Sequence, residues 1–270
     1  MSAPTNIMAV YNGGTSWTRN TNCVVSSANN GYDTSGICIN IYGVGNMGAT
    51  LISNRHVLLA NHVSTNFSLP QTIYFVNNSN VTFTYTITSL SRIGPSSGAG
   101  YTDISIGYLN SIVDTSLKYY KVFPSNFLDY LKKGTSSSTF QYLNPYLAAF
   151  YMNGEKKFLC GDIDGLSLTD ATSPKLRLVF SENTKRYNNS ELVIGGDSGN
   201  IIFLPVNNEI VLLGSWWTGS PSSKSIGNQI GISSYIPSNI TAINSAMTSL
   251  AGTNYSVTEI DLSNYSNSFA

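Results

Sequence analysis

The stretch best equipped for covalent chemistry is Gly195-Gly196-Asp197-Ser198-Gly199-Asn200. A serine hydroxyl attacks a carbonyl only when a base takes its proton and amide hydrogens stabilise the oxyanion that forms. Gly196 can take the positive φ that turns backbone N–H groups toward such an oxygen, and Gly199 would leave room for a substrate chain to approach. Apolar runs flank the hexapeptide, Leu192-Val193-Ile194 before it and Ile201-Ile202-Phe203-Leu204 after it. Both read as buried strands on either side of a tight turn. The nucleophile elbow Gly-x-Ser-x-Gly fits poorly, because Asn200 holds the last position and strand-like residues follow. Taken alone, the hexapeptide also suits an ordinary glycine-rich hairpin that contains a serine.

Such a serine needs a base that titrates near neutrality and a carboxylate that fixes the base's tautomer. The chain has two histidines, His56 and His62. His62 follows the apolar run Val57-Leu58-Leu59-Ala60, where a polar ring would emerge at a sheet's rim, whereas His56 stands at the run's entrance. Asp103 opens a second apolar run, Ile104-Ser105-Ile106, and so places a carboxylate at another strand mouth. Each residue by itself has a plain structural role available: a satisfied rim histidine, a strand-start cap, a hairpin hydroxyl.

The elements that must carry these groups are strands. Period-two alternation recurs at Ile37, Ile39 and Ile41, and at Val81, Phe83, Tyr85 and Ile87 against Thr82, Thr84, Thr86 and Thr88. Further runs over 48–52, 57–60, 72–76 and 104–109 make about six strands before residue 112, enough for one small barrel. After a weak connection around 113–133, runs over 139–143, 148–152, 157–160, 176–180, 201–204, 210–216 and 229–232 give a second set. Only 237–251 reads as a helix, with Ile240, Ile243, Met247 and Leu250 near helical spacing and Gly252 just beyond. The expectation is an all-β chain of two packed six-stranded antiparallel Greek-key barrels with a C-terminal helix. The N-terminal barrel (1–120) would carry His62 and Asp103 and the C-terminal barrel (121–236) Ser198, ahead of a helix and Ser/Asn/Tyr-rich tail (237–270) of which 253–270 docks loosely or is mobile. No internal repeat is visible in the sequence.

Composition narrows the partners. Lys plus Arg and Asp plus Glu each number 14, so the formal net charge is zero and no electrostatic case exists for nucleic acid or an anionic membrane surface. No apolar run reaches membrane-spanning length, and the first residues lack the basic start and apolar stretch of a signal peptide. Two histidines without a Cys-x-x-Cys pair give no metal site, and no cofactor is expected. Cys23, Cys38 and Cys160 cannot all pair within one chain, and three free thiols are expected.

The segments around the three residues resemble trypsin- and chymotrypsin-like serine peptidases. Thr50-Leu51-Ile52 followed by Val57-Leu58-Leu59-Ala60-Asn61-His62 is similar to their segment ending in the catalytic histidine, Asp103-Ile104-Ser105-Ile106 to their Asp-Ile-Ala-Leu, and Gly196-Asp197-Ser198-Gly199 to their nucleophile motif. The order and the spacings of 41 and 95 residues also agree, and the resemblance spans about 36–251. It implies His62 as general base, Asp103 as its orienting partner, Ser198 as nucleophile, and the N–H groups of Gly196 and Ser198 as oxyanion hole. Gly214-Ser215-Trp216 resembles the strand that binds the substrate backbone. The activity implied is endopeptidase cleavage of a polypeptide substrate, the alternative being an inactive peptidase-fold structural or binding protein such as a virion component.

Departures from that pattern set further expectations. Val63 and Met47 stand where the family has a disulfide, and Asn200 replaces a glycine. No Ile-Val-Gly-Gly segment precedes the first barrel, so Asp197 would need a partner other than a freed N-terminus, and a Lys or Arg from a neighbouring loop is expected. The resemblance puts Leu192 at the floor of the primary pocket, which disfavours basic residues there, although a one-residue offset would substitute Glu191. Trp217 replaces a wall glycine and would narrow the pocket, unless it is a surface aromatic packing beside Trp216.

Overall fold

Residues alternating between apolar and polar can bury only one face of a strand, and two such sets must each curl around an interior of their own. A computed structural model of the chain describes residues 5–10, 17–26, 31–45, 47–95, 100–168, 174–219 and 223–265, and in it the two sets form two antiparallel sheets packed together. The first comprises β1 (Asn40–Ile41), β2 (Ala49–Leu51), β3 (His56–Ala60), β4 (Gln71–Val76), β5 (Thr82–Ile93) and β6 (Ile104–Leu109) in the order β1-β4-β5-β6-β3-β2. It is a curled half-barrel whose two edges are drawn together by Cys38 N–H to Ala49 O and Leu51 N–H to Gly36 O, both 2.9 Å. The barrel of the second comprises β7 (Phe140–Met152), β8 (Phe158–Ser167), β9 (Lys175–Val179), β10 (Ile201–Val206), β11 (Glu209–Gly219) and β12 (Gln229–Tyr235), ordered β7-β8-β9-β12-β11-β10, and two short strands extend the sheet, Lys121–Val122 parallel to β11 and Lys133–Ser136 antiparallel to β7. Pairing of Phe150 with Phe203 and of Tyr151 with Ile202 joins β7 to β10 and closes this sheet as a six-stranded barrel.

Counted around each sheet, strands within a set follow the same sequence: first, second, third, sixth, fifth, fourth. The topology is therefore duplicated although the residues are not.

Why β3 is buried throughout follows from its neighbours. Val57 and Leu59 face the interior of the first sheet with Leu51, Ile73 and Phe75, while Leu58 faces the other side with Ile104, Ile106 and the helical residues Ile243 and Met247. The helix Ile240–Ala251, preceded by a 3₁₀ turn (Ile236–Asn239), lies against β5 and β6 and ends at Gly252 with φ +67°. A strand covered on both faces loses its alternation.

Several expectations are corrected. The runs 139–143 and 148–152 are one strand, β7, whose register shifts between Tyr142 and Leu147 around Pro145, a residue with no N–H to offer a ladder. Leu192-Val193-Ile194 is irregular rather than a strand, because the Ile194 N–H is taken by the Asp197 carboxylate (2.8 Å). The tail is docked as far as it is described. Val257, Ile260 and Leu262 are buried, and Val122 bonds to Thr258 O and Ile260 N–H on either side, while 266–270 lie outside the described residues. The first described residues also join the second barrel, with Phe158 N–H on Thr5 O (2.9 Å) and Ile7 N–H on Lys156 O (3.1 Å). Cys23, Cys38 and Cys160 are free thiols, Cys38 inside the first sheet and Cys23 in the cluster outside it.

Candidate functional site

His62, Asp103 and Ser198 meet at the seam between the sheets. His62 lies in a single helical turn, Asn61–Ser64, that leaves β3, and the buried Asn61 anchors this turn to β6. Its N–H donates to Asp103 O at 3.0 Å, and its side-chain oxygen accepts from Ser105, whose hydroxyl also meets that of Ser64 at 3.0 Å. The imidazole therefore stands on a satisfied polar platform.

Asp103, at the mouth of β6, takes φ +55°, a conformation that Asp tolerates better than most residues. Its carboxylate is fully buried. Oδ1 accepts from the His62 N–H at 2.9 Å and from the Tyr101 hydroxyl at 2.5 Å, and Oδ2 lies 2.8 Å from His62 Nδ1. A buried carboxylate can only accept, so the proton sits on Nδ1 and the Nε2 lone pair faces outward. Ser198 Oγ lies 2.8 Å from Nε2, where its hydroxyl donates. His62 is the part-exposed member, with 38% of its side chain accessible.

The turn that carries Ser198 is built from close backbone packing. Gly196 has φ +100°, and among the described residues neither its N–H nor that of Ser198 is donated to any acceptor, so both are available to an incoming oxyanion. Gly199, at φ +78°, makes room for backbone: a Cβ there would lie 2.4 Å from Gly48 O. The space it leaves admits the first sheet, whose Gly48 N–H donates to Ser198 O at 2.8 Å.

Asp197 is held by two backbone donors, Ile194 N–H on Oδ2 (2.8 Å) and Gly154 N–H on Oδ1 (2.6 Å). The expected direct Lys or Arg pair is replaced by an indirect one. Lys156, on the turn after β7 at φ +58° and only 2% exposed, donates to Asn200 Oδ1 at 2.7 Å, and Asn200 Nδ2 donates to Asp197 O at 3.0 Å. Burial pushes Asp197 above the ordinary carboxylate range, opposed by its backbone bonds and the Lys156 charge. The same burial pulls Lys156 down to about 8. Neither Lys156 nor Tyr101 was singled out from the sequence. Glu155-Lys156-Lys157 has the look of an exposed charge run, and the one signal for Tyr101 is its position two residues before Asp103.

The residues expected to bind substrate divide. Leu192 is half-buried against the second barrel's core, and Glu191 is engaged by Lys157 Nζ (3.0 Å) and Asn153 Nδ2 (3.1 Å). Ser215 is fully buried, its hydroxyl unpartnered among the described residues. Trp216 is 0% exposed in the barrel core, with Nε1 on Met152 O (2.9 Å) and its own N–H on Asn200 O (2.9 Å). Trp217 is half-buried and meets Tyr101 edge to face, 5.7 Å between ring centres. His56 is buried between Tyr108 and Tyr255 with Nδ1 on Ser53 Oγ (2.8 Å), and desolvation lowers it to about 4, so it is a neutral core residue. Among the described residues no group of three His, Cys, Asp or Glu side chains is placed to hold a metal, and no helix is long and apolar enough to cross a membrane.

A scan against protein-family models and a search of curated proteins found no match to this chain.

Proposed function

We propose that this protein is a serine endopeptidase of the trypsin-like, two-barrel kind, hydrolysing polypeptide substrates through an acyl-enzyme on Ser198. The observation that carries the reading is the unbroken relay from Asp103 Oδ2 through His62 to Ser198 Oγ, with 2.8 Å at each step and an open pair of amide donors beside the hydroxyl. His62 Nε2 would take the serine proton as Oγ attacks the carbonyl carbon, and the Gly196 and Ser198 N–H groups would hold the oxyanion. The imidazolium then returns the proton to the leaving amine, and a water activated the same way hydrolyses the ester. Asp103 stays ionised throughout and stabilises the imidazolium. The half-buried Leu192 supports an apolar primary subsite.

The test is labelling by a fluorophosphonate, which reacts only with an activated serine. Wild type is expected to label, while Ser198→Ala remains folded and loses labelling and peptide hydrolysis, keeping at most the residual rate of binding and oxyanion donors, on the order of 10³ to 10⁴ above water. Absence of wild-type labelling refutes the reading and leaves a peptidase-fold binding protein.

A further inference from the structure

Asp103 carries one hydrogen bond more than holding an imidazole requires. The Tyr101 hydroxyl reaches Oδ1, the oxygen that does not face the His62 ring, at 2.5 Å. A bond from a neutral donor to a carboxylate is about twice as strong as one between neutral groups, and the buried carboxylate has no water to replace it. Burial and the Asp103 charge push the phenol well above its ordinary pKa, so it remains a donor at working pH.

The same tyrosine is gripped from the opposite barrel. Its carbonyl accepts from the Lys175 ammonium of β9, its ring meets Trp217 of β11, and Lys175 Nζ lies 5.3 Å from the centre of the Trp217 ring. The neighbouring Thr102 O accepts from Ser234 of β12, and the Thr102 hydroxyl donates to Ile93 O at 2.6 Å. Charged or titratable groups that face Tyr101 include Asp103, Arg92 of β5 and Lys175.

We propose that Tyr101 is a positioning residue for the triad: its hydroxyl fixes the Asp103 carboxylate and damps the charge presented to His62, while its ring transmits the placement of Trp217 to that carboxylate. The inference rests on the serine-hydrolase reading of the same site and deepens it. Two consequences of losing the hydroxyl differ in sign. An undamped carboxylate stabilises the imidazolium better, so the acid limb of activity moves to higher pH, whereas a carboxylate that merely drifted from the ring would move it lower.

The test uses Tyr101→Phe, which keeps the ring and its contact with Trp217. The rate of fluorophosphonate labelling is expected to fall on the order of tenfold. The acid limb should move to higher pH. The low-field proton resonance of the His62–Asp103 hydrogen bond should shift. Unchanged rate, limb and resonance overturn the proposal; a limb that moves lower supports the fixing and refutes the damping. Trp217→Ala is expected to slow labelling in wild type and to add little in Tyr101→Phe, and fully additive effects refute the transmission. Should wild type not label at all, the hydrolase reading fails. The proton resonance then decides the positioning role on its own, shifting in Tyr101→Phe if the hydroxyl holds Asp103 and staying fixed if it does not.

Discussion

Lys156→Met removes a charge from beneath the nucleophile turn while keeping the aliphatic stem. Both side chains tolerate φ +58° equally badly, so the backbone strain cancels in the comparison. Burial lowers the lysine from 10.5 to about 8, with Cys38 and Asp197 as the nearby groups that oppose the shift. A base whose folded pKa lies below its unfolded one binds fewer protons when folded, so stability rises with pH between the two values. Below pH 8 the folded chain carries the whole cost of the buried ammonium, about 3 kcal/mol. Above 10.5 it carries none. Between pH 7.5 and 9.5 wild type is expected to gain about 2 kcal/mol over Lys156→Met. With a urea m-value of about 3 kcal/mol/M for a chain of this size, the midpoint difference moves by roughly 0.7 M. Urea unfolding of both proteins at the two pH values measures it, and taking the difference cancels tyrosine and cysteine titrations common to both. Parallel stability–pH curves would show that the ammonium reaches water and refute the reasoning.

Further expectations concern the same turn and the pocket. Asp197→Asn presents an amide N–H to one of the two backbone donors that the carboxylate accepts, and is expected to cost about 1–3 kcal/mol of stability and on the order of 10² in labelling rate. Wild-type labelling by this variant would show that the oxyanion donors do not depend on Asp197. A peptide-library profile is expected to show no cleavage after Lys or Arg, since Leu192 offers no counter-charge and Glu191 is already compensated by Lys157. Efficient cleavage after Arg would place another carboxylate in the pocket.

Much of the seam was legible because each of the three residues that meet there is a polar residue at the end of an apolar run: His62 after β3, Asp103 before β6, Ser198 before β10. Strand ends are where a barrel's rim lies, and side chains of that kind have few other places to go. What was hidden depends on direction rather than type. Alternation along β11 requires that one of Trp216 and Trp217 point inward, but which one is set by the β11–β12 register and by the room that Gly231 leaves beside Trp216. Lys156 is indistinguishable from Lys157 in a charge run, and only the left-handed turn sends one inward to Asn200 and the other to Glu155 and Glu191. The tail had a readable signal, since Val257, Ile260 and Leu262 stand among polar residues at short spacing and all three are buried. The duplicated strand order left no trace in the residues, because a barrel constrains which positions are apolar and leaves open which apolar residue occupies each.

His62 on one sheet and Ser198 on another can stay 2.8 Å apart only if the sheets are docked to that tolerance. The bonds that fix the docking are found at the site itself. Gly48 N–H holds Ser198 O, Lys156 Nζ reaches Met47 O at 3.4 Å as well as Asn200, and Lys175 and Ser234 hold the backbone of Tyr101 and Thr102. Gly48 and Gly199 have no side chains to keep the backbones apart, and a Cβ on either would meet the other chain segment at 2.2–2.4 Å. Substituting either glycine by alanine must therefore push the sheets apart where His62 meets Ser198, so the same contact that joins the barrels sets the reach of the base. Lys156 and Asp197, a buried ammonium and a buried carboxylate, lie on the second barrel's side of this contact around the turn that carries Ser198, and the buried Asp103 carboxylate lies on the first sheet's side. On that side the uncharged platform of Asn61, Ser64 and Ser105 supports His62.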